Sequence, residues 1–343
     1  MNVYSNVLDM VGQTPMLEVK HIDTGPCRVF LKLELMNPGG SIKDRIGISM
    51  IEEAEKRGDI SPGDTIVEAT AGNTGLALAL VAAQKGYGLV IVLPDKMSQE
   101  KIFNLRAMGA EVILTRSDVG RGHPEYYQDL GKRVAEERGA YFINQFGNPD
   151  NPLAHETGTA PEILEQMGGD LDAIVLGVGS SGTVAGIGNY LKKHAPGVDM
   201  VLADPVGSIL TDYINKGEIG ESGSWLVEGI GEDFIPDIAD FEKVVKAYAI
   251  SDAESFATAR ELLRKEGILA GSSSGTLLAA ALRYCREQTE AKRVVTFACD
   301  TGNKYLSKLY NDFWLEDQGF ITREECGDLR DLIGRPHGER ATI

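Results

Sequence analysis

Among the residues whose types suit them to chemistry, Lys43 has the most telling setting, the run Asn37-Pro38-Gly39-Gly40-Ser41-Ile42-Lys43-Asp44-Arg45. A lysine amine is a nucleophile or base only when neutral, and the positive end of a helix macrodipole disfavours its cation. The residues before it, Val29 to Leu35, are β-rich, and Ile46, Met50, Ile51 and Ala54 after it fall near helical spacing. Strand, glycine turn and helix therefore put the lysine in a first helical turn. Ser41 is expected as the N-cap, with Asp44 as a shortened capping-box acid. Taken alone, such a lysine also reads as a solvated surface residue.

Two further glycine-rich turns change the balance. Asp64 to Thr70 runs as a strand into Ala71-Gly72-Asn73-Thr74-Gly75 and then an apolar helix, Leu76 to Gln84. Ala173 to Val178 runs as a strand into Gly179-Ser180-Ser181-Gly182-Thr183 and a helix from about Val184. Each turn presents backbone N–H groups at a helix N-terminus, where an anion is stabilised. A single such loop is equally a tight strand-to-helix connection. The combination, with the lysine first, the asparagine turn second and the phosphate-type loop third, fits one α/β enzyme.

In that order the three segments resemble the β-family, or fold-type II, pyridoxal-phosphate enzymes from about Val7 to Phe320. Within them the chain resembles cystathionine β-synthase more than cysteine synthase. The resemblance implies pyridoxal 5'-phosphate as cofactor, a Schiff base at Lys43 and a contact from Asn73 to the pyridine hydroxyl. It further implies phosphate binding by Gly179, Ser180, Ser181, Gly182 and Thr183, and a contact from Ser273, in Gly271-Ser272-Ser273-Ser274-Gly275, to the pyridine nitrogen. Thr70, Ala71, Gly72, Thr74 and Gln145 are implied to bind the substrate carboxylate, with Gly229, in the Gly229-Ile230-Gly231 loop, beside them near the cofactor. The subfamily likeness rests on Asn151-Pro152-Leu153-Ala154-His155, Asp204 to Leu210, Glu228 to Pro236 and Phe313-Trp314-Leu315.

The implied chemistry is β-replacement on serine or O-acetylserine with homocysteine to give cystathionine, through an aminoacrylate, with Lys43 moving the α-proton. The alternative is cysteine synthase, taking O-acetylserine and sulfide. A neutral hydroxyl at the ring nitrogen, as Ser273 would supply, makes the ring a mild electron sink and favours loss of the β-substituent. The chain departs from the family pattern in three places. Ala71 stands where serine is usual, Ser181 where glycine is usual, and Glu232 where animal cystathionine β-synthases carry tyrosine. An oxidoreductase would need G-x-G-x-x-G after the first strand and an acid about 20 residues on, and neither is present. A non-catalytic cofactor-binding protein is the other class that Ala71 and Ser181 leave open.

The elements that must position these residues alternate between strand and helix, as in an α/β fold with mostly parallel twisted sheets flanked by helices, tryptophan-synthase-β-like. Leu89 to Leu93, Glu111 to Leu114, Met200 to Ala203 and Arg293 to Ala298 are the further strands, most of them short apolar runs buried on both faces. Gln99 to Met108 and Asp252 to Glu266 are amphipathic helices. A division near residue 150 gives an N-terminal domain, 1–150, with the lysine and asparagine turns, whose earliest residues can cross to the other domain. A C-terminal domain, 151–320, carries the phosphate loop and Ser273, and 321–343 is expected as a mobile tail.

Composition agrees with a metabolic enzyme of about two domains: 343 residues, 43% of them hydrophobic. The formal net charge of −17 argues against nucleic acid or an anionic membrane as partner. The partners expected are small amino-acid and thiol substrates and a second copy of the chain in a homodimer. No apolar run approaches the roughly 20 residues of a membrane span, and Met1 to Leu8 lacks the marks of a signal peptide, so a cytoplasmic location is expected. Animal cystathionine β-synthases, whose core this chain resembles, add an N-terminal haem segment and a C-terminal regulatory module; no haem segment is expected here, and the tail from Ile321 reads as a natural terminus or as a cut linker. Cys27, Cys285, Cys299 and Cys326 form no C-x-x-C pair, and the five histidines show no metal-ligand spacing, so no metal is expected. His155 alone is singled out, as a functional residue or as a packing residue at a helix start.

Overall fold

The computed structural model describes residues 3–326 except 71, 96, 98 and 121, and only the backbone of residue 100. Up to Lys304 these residues form one compact unit, and from Tyr305 a second.

The strands of the first unit are β1 Met16–Glu18, β2 Arg28–Lys32, β3 Thr65–Ala69, β4 Gly88–Pro94, β5 Glu111–Thr115, β6 Tyr141–Phe142, β7 Ala173–Leu176, β8 Asp199–Pro205, β9 Val244–Ile250 and β10 Arg293–Phe297. They form two sheets, ordered β1-β2-β10-β7-β8-β9 and β5-β4-β3-β6. All pairings are parallel except the β1 edge, which is antiparallel to β2. The apolar runs Leu89–Leu93 and Ala173–Leu176 are buried throughout, as strands covered on both faces must be.

The helices are α1 Lys43–Arg57, α2 Asn73–Lys85, α3 Gln99–Ala107, α4 Tyr127–Arg138, α5 Asp150–Ala154, α6 Ala160–Gln166, α7 Gly182–His194, α8 Leu210–Lys216, α9 Asp252–Glu266 and α10 Ser272–Arg286. A one-turn π-helix, His155–Thr159, joins α5 to α6. Helix α9 has the bounds read from the sequence. Ser251 caps it by accepting from Glu254 N at 3.2 Å, and Gly267 ends it in the left-handed conformation. The two sheets, mostly parallel and flanked by helices, are the expected α/β class.

Two local expectations differ. The strand read as Val29 to Leu35 ends at Lys32, because Leu33 leaves the sheet and Glu34–Met36 turns as a 3-10 helix. That turn buries Glu34 against Arg45 of α1: Nε lies 2.7 Å from Oε2, and Nη2 lies 2.8 Å from Oε1. The strands β1 and β6, of three and two residues, are too short to show a period in the sequence, and Lys246 interrupts the half-buried β9.

The second unit contains α11 Asp312–Asp317 and α12 Arg323–Cys326, with Leu315 and Cys326 buried. Asn311 caps α11 by accepting from Phe313 N at 3.0 Å. The tail expected over 321–343 lies outside the described residues from 327 onward.

Candidate active site

Lys43, the asparagine turn and the phosphate loop follow the carboxyl ends of parallel strands, where ligands of open α/β sheets bind, and Ser273 opens α10, whose start is bonded to the loop after the carboxyl end of β10. Lys43 opens α1, but the capping differs from the expectation. Ile42 is the N-cap, and Ser41 Oγ accepts from Lys43 N at 3.2 Å. Asp44 closes no capping box. Its Oδ2 accepts from Gly39 N at 2.6 Å, tying the helix start to the glycine turn, and burial pushes its carboxyl up to about 7.

The turn is fastened to the loop after β10. Ile42 N donates to Cys299 O at 2.9 Å, Thr301 N donates to Gly40 O at 3.1 Å, and Ser41 bridges Asp300. The same loop holds the start of α10. Cys299 N donates to Ser274 Oγ at 2.9 Å, and Gly271 N donates to Asp300 O at 3.0 Å. The segments that carry Lys43 and Ser273, 230 positions apart, are thus anchored to two adjacent residues. Removal from water pushes the Lys43 amine toward its neutral form, while Cys299, Asp300 and Glu232 pull the other way. Burial also holds the Cys299 thiol up at about 12, so it contributes no anion near neutral pH.

Asn73 joins this cluster from α2. Its Nδ2 donates to Asp300 Oδ2 and its Oδ1 accepts from Lys304 Nζ, both at 2.8 Å.

The phosphate loop turns tightly after β7. Ser181, where glycine is usual, adopts φ 72° as the N-cap of α7, a left-handed conformation that costs a non-glycine residue about 1–2 kcal/mol. A Cβ on Gly179 would lie 2.7 Å from Gly229 O, so the two loops touch. Ser180 Oγ accepts from Asn151 Nδ2 at 2.9 Å, and the same nitrogen donates to Gln145 O at 2.8 Å. His155 is buried in the π-turn with Nε2 3.3 Å from Thr183 Oγ1 and Nδ1 2.9 Å from Thr159 Oγ1. Burial, and then the charges of Lys43 and Arg45, hold its pKa well below the usual value. It is therefore a neutral packing residue that steadies the loop.

The carboxylate-binding candidates gather around the asparagine turn. Thr74 Oγ1 donates to Gln145 Oε1 at 2.7 Å, and Gly72 N donates to the buried Thr70 Oγ1 at 3.3 Å. Beneath Gln145, burial raises Glu68 to about 8. Gly229 is brought in by its neighbour Glu228, which pairs with the buried Lys101, whose Nζ would lie 3.1 Å from a Cβ on Gly72. Ala71 lies outside the described residues. The sequence reading missed Asn151, Lys101, Lys304 and the pair Cys299–Asp300. Asn151 sat in a subfamily-like segment, whereas the two lysines are lone cations in polar stretches and carry no pattern.

These residues fit pyridoxal phosphate on their own chemistry. Ser181 Oγ is buried with no hydrogen-bond partner among the described residues, at the N-terminus of the 13-residue helix α7, which suits a phosphate. A desolvated amine, an amide and a neutral hydroxyl complete the donor set for an aldehyde, a ring hydroxyl and a ring nitrogen.

The family model described as "Pyridoxal-phosphate dependent enzyme" matches residues 7–300. The chain belongs to that family. It is 42% identical over 324 residues to a cystathionine beta-synthase of Dictyostelium discoideum, a match covering 94% of this chain and 65% of that protein. It thus spans less than two thirds of the length of that relative, and 58% of the Mus musculus protein of the same name, to which it is also 42% identical over 94% of this chain. Among solved structures, the O-acetylserine dependent cystathionine beta-synthase from Helicobacter pylori superposes with a TM-score of 0.82. It shares 40% identity, over 90% of this chain and 99% of that one.

One consequence concerns Gly182. A Cβ there would sit 1.8 Å from Asn151 Oδ1, so alanine must displace the side chain that holds both Gln145 and Ser180. Gly182→Ala should weaken pyridoxal 5'-phosphate binding at least about tenfold, measured by absorbance titration of the cofactor-free protein. An unchanged dissociation constant would mean that the loop does not hold the phosphate.

Proposed function

We propose that this chain catalyses β-replacement, joining serine or O-acetylserine to homocysteine to give cystathionine. The observation that carries the reading is that Ile42 and Ser274, the neighbours of Lys43 and Ser273, both bond Cys299, with Asn73 bonded to the next residue, Asp300. Bound pyridoxal 5'-phosphate supplies an electron sink for the pair left at the α-carbon. In this reading Lys43 Nζ would hold the cofactor and, as a neutral amine, would accept the α-proton of the amino-acid substrate. The loop Gly179 to Thr183 holds the phosphate, Asn73 meets the ring hydroxyl and Ser273 the ring nitrogen. Thr70, Ala71, Gly72, Thr74 and Gln145 bind the substrate carboxylate, with Gly229 alongside.

The choice of homocysteine over sulfide is supported by the names of the relatives, and O-acetylserine as one first substrate by the name of the Helicobacter pylori enzyme. Offered both thiols separately with either amino acid, the enzyme should show the larger kcat/KM with homocysteine. If sulfide wins by about tenfold or more, equal to about 1.4 kcal/mol in transition-state binding, cysteine synthase is the better description. The chain is also read as a cytoplasmic homodimer, which light scattering at micromolar concentration tests. No helix among the described residues is long and apolar enough to cross a membrane.

A further inference from the structure

Lys304 is only 8% exposed, and its ammonium uses its hydrogens on three acceptors: Asn73 Oδ1 at 2.8 Å, Gly39 O at 3.1 Å and Gly40 O at 3.3 Å. A buried cation is tolerated only when so satisfied, and Asp300 and Asp44 face it with opposite charge. On the other side of the same amide, Asn73 Nδ2 donates to Asp300 Oδ2 at 2.8 Å. The amide is therefore held between a cation at its oxygen and a carboxylate at its nitrogen. Turning it over would set N–H against ammonium and C=O against carboxylate, so one orientation is enforced. Of the two Nδ2 hydrogens, one is taken by Asp300 and the other is left for a ligand. A cation on the amide oxygen also strengthens the nitrogen as a donor, because hydrogen bonds in a chain polarise one another.

We propose that Lys304 is a positioning residue that clamps the Asn73 amide and aims its remaining N–H at the ring hydroxyl of the cofactor. The same ammonium bonds the carbonyls of Gly39 and Gly40, four and three residues before Lys43, and these contacts hold the cation in place against Asn73. This inference rests on the reading that Asn73 touches the cofactor.

The test is a double-mutant cycle in the full-length, cofactor-free protein, reloaded with pyridoxal 5'-phosphate and followed by absorbance. Lys304→Met and Asn73→Ala should each raise the dissociation constant about 10- to 100-fold, the range for a charge-assisted contact. The double variant should bind within about threefold of Asn73→Ala alone, because Lys304 acts through Asn73. Lys304→Arg should recover most of the affinity, and Lys304→Gln replaces the methionine variant if that one fails to fold. Additive losses would show that Lys304 acts independently of Asn73 and would overturn the clamp while leaving the site reading intact. Unchanged affinity in Asn73→Ala would instead defeat the reading that Asn73 touches the cofactor, and the clamp with it.

Discussion

Lys43→Ala should lower turnover by at least about 100- to 10,000-fold, the contribution typical of one positioned acid–base group, with a further loss from the missing covalent attachment. The amine is half-buried and pushed toward its neutral form by desolvation, and no other lysine among the described residues opens a helix directly after a glycine turn. Lys304, the buried lysine nearest in the hydrogen-bond network, spends its hydrogens on Asn73 and the glycine turn. The rate is read as cystathionine formed from O-acetylserine and homocysteine, with thermal unfolding confirming an intact fold. Turnover retained within about tenfold would remove Lys43 from the chemistry.

The second large effect lies beneath that lysine. Arg45 sits between Glu34 and Glu162, bonded to Glu34 as described and to Glu162 by Nη1 to Oε1 and Nη2 to Oε2, both at 2.7 Å. Lys32 Nζ completes the network 2.7 Å from Glu162 Oε2. Burial disfavours the Glu162 carboxylate, yet Arg45 and Lys32 outweigh it and hold it down at about 2. The network ties α1 to the chain after β2 and to α6, and so fixes the axis on which Lys43 rides. Arg45→Met leaves Glu34 buried with only Thr14 and Asn37 as partners, and should destabilise the protein by about 3–5 kcal/mol in urea unfolding at pH 7. The sign with pH follows from Glu162. Its folded pKa lies below the unfolded value of about 4.3, so its stabilisation is complete above that value and is lost as pH falls toward 2. The gap between wild type and variant should therefore shrink at pH 3. A difference under about 1 kcal/mol at pH 7 would mean that the network does not hold α1.

Much of this site was legible in the sequence because its parts are local. A strand, a turn of small residues and a helix start can be read from a dozen consecutive positions, which is why Lys43, Asn73 and the loop from Gly179 were found in the right elements. What joins the parts was not legible. The contacts Ile42–Cys299, Asn73–Asp300 and Asn73–Lys304 span more than 200 positions; the first follows from sheet order, which places β10 beside β2, and the other two join the turn after β3 of the second sheet to the chain after β10. The cap of α1 was misplaced by one residue because Asp44 finds a nearer donor in Gly39 than the capping box offers. Ser181 shows the reverse case. The loop geometry overrides the residue's own preference, and at the position where glycine is usual a serine holds a left-handed backbone.

The most direct measurement is borohydride reduction of the protein loaded with pyridoxal 5'-phosphate, followed by proteolysis and peptide mass mapping. The account predicts one modified peptide, carrying the reduced cofactor on Lys43. Label on another lysine, or loading that leaves Lys43 unmodified, would contradict it.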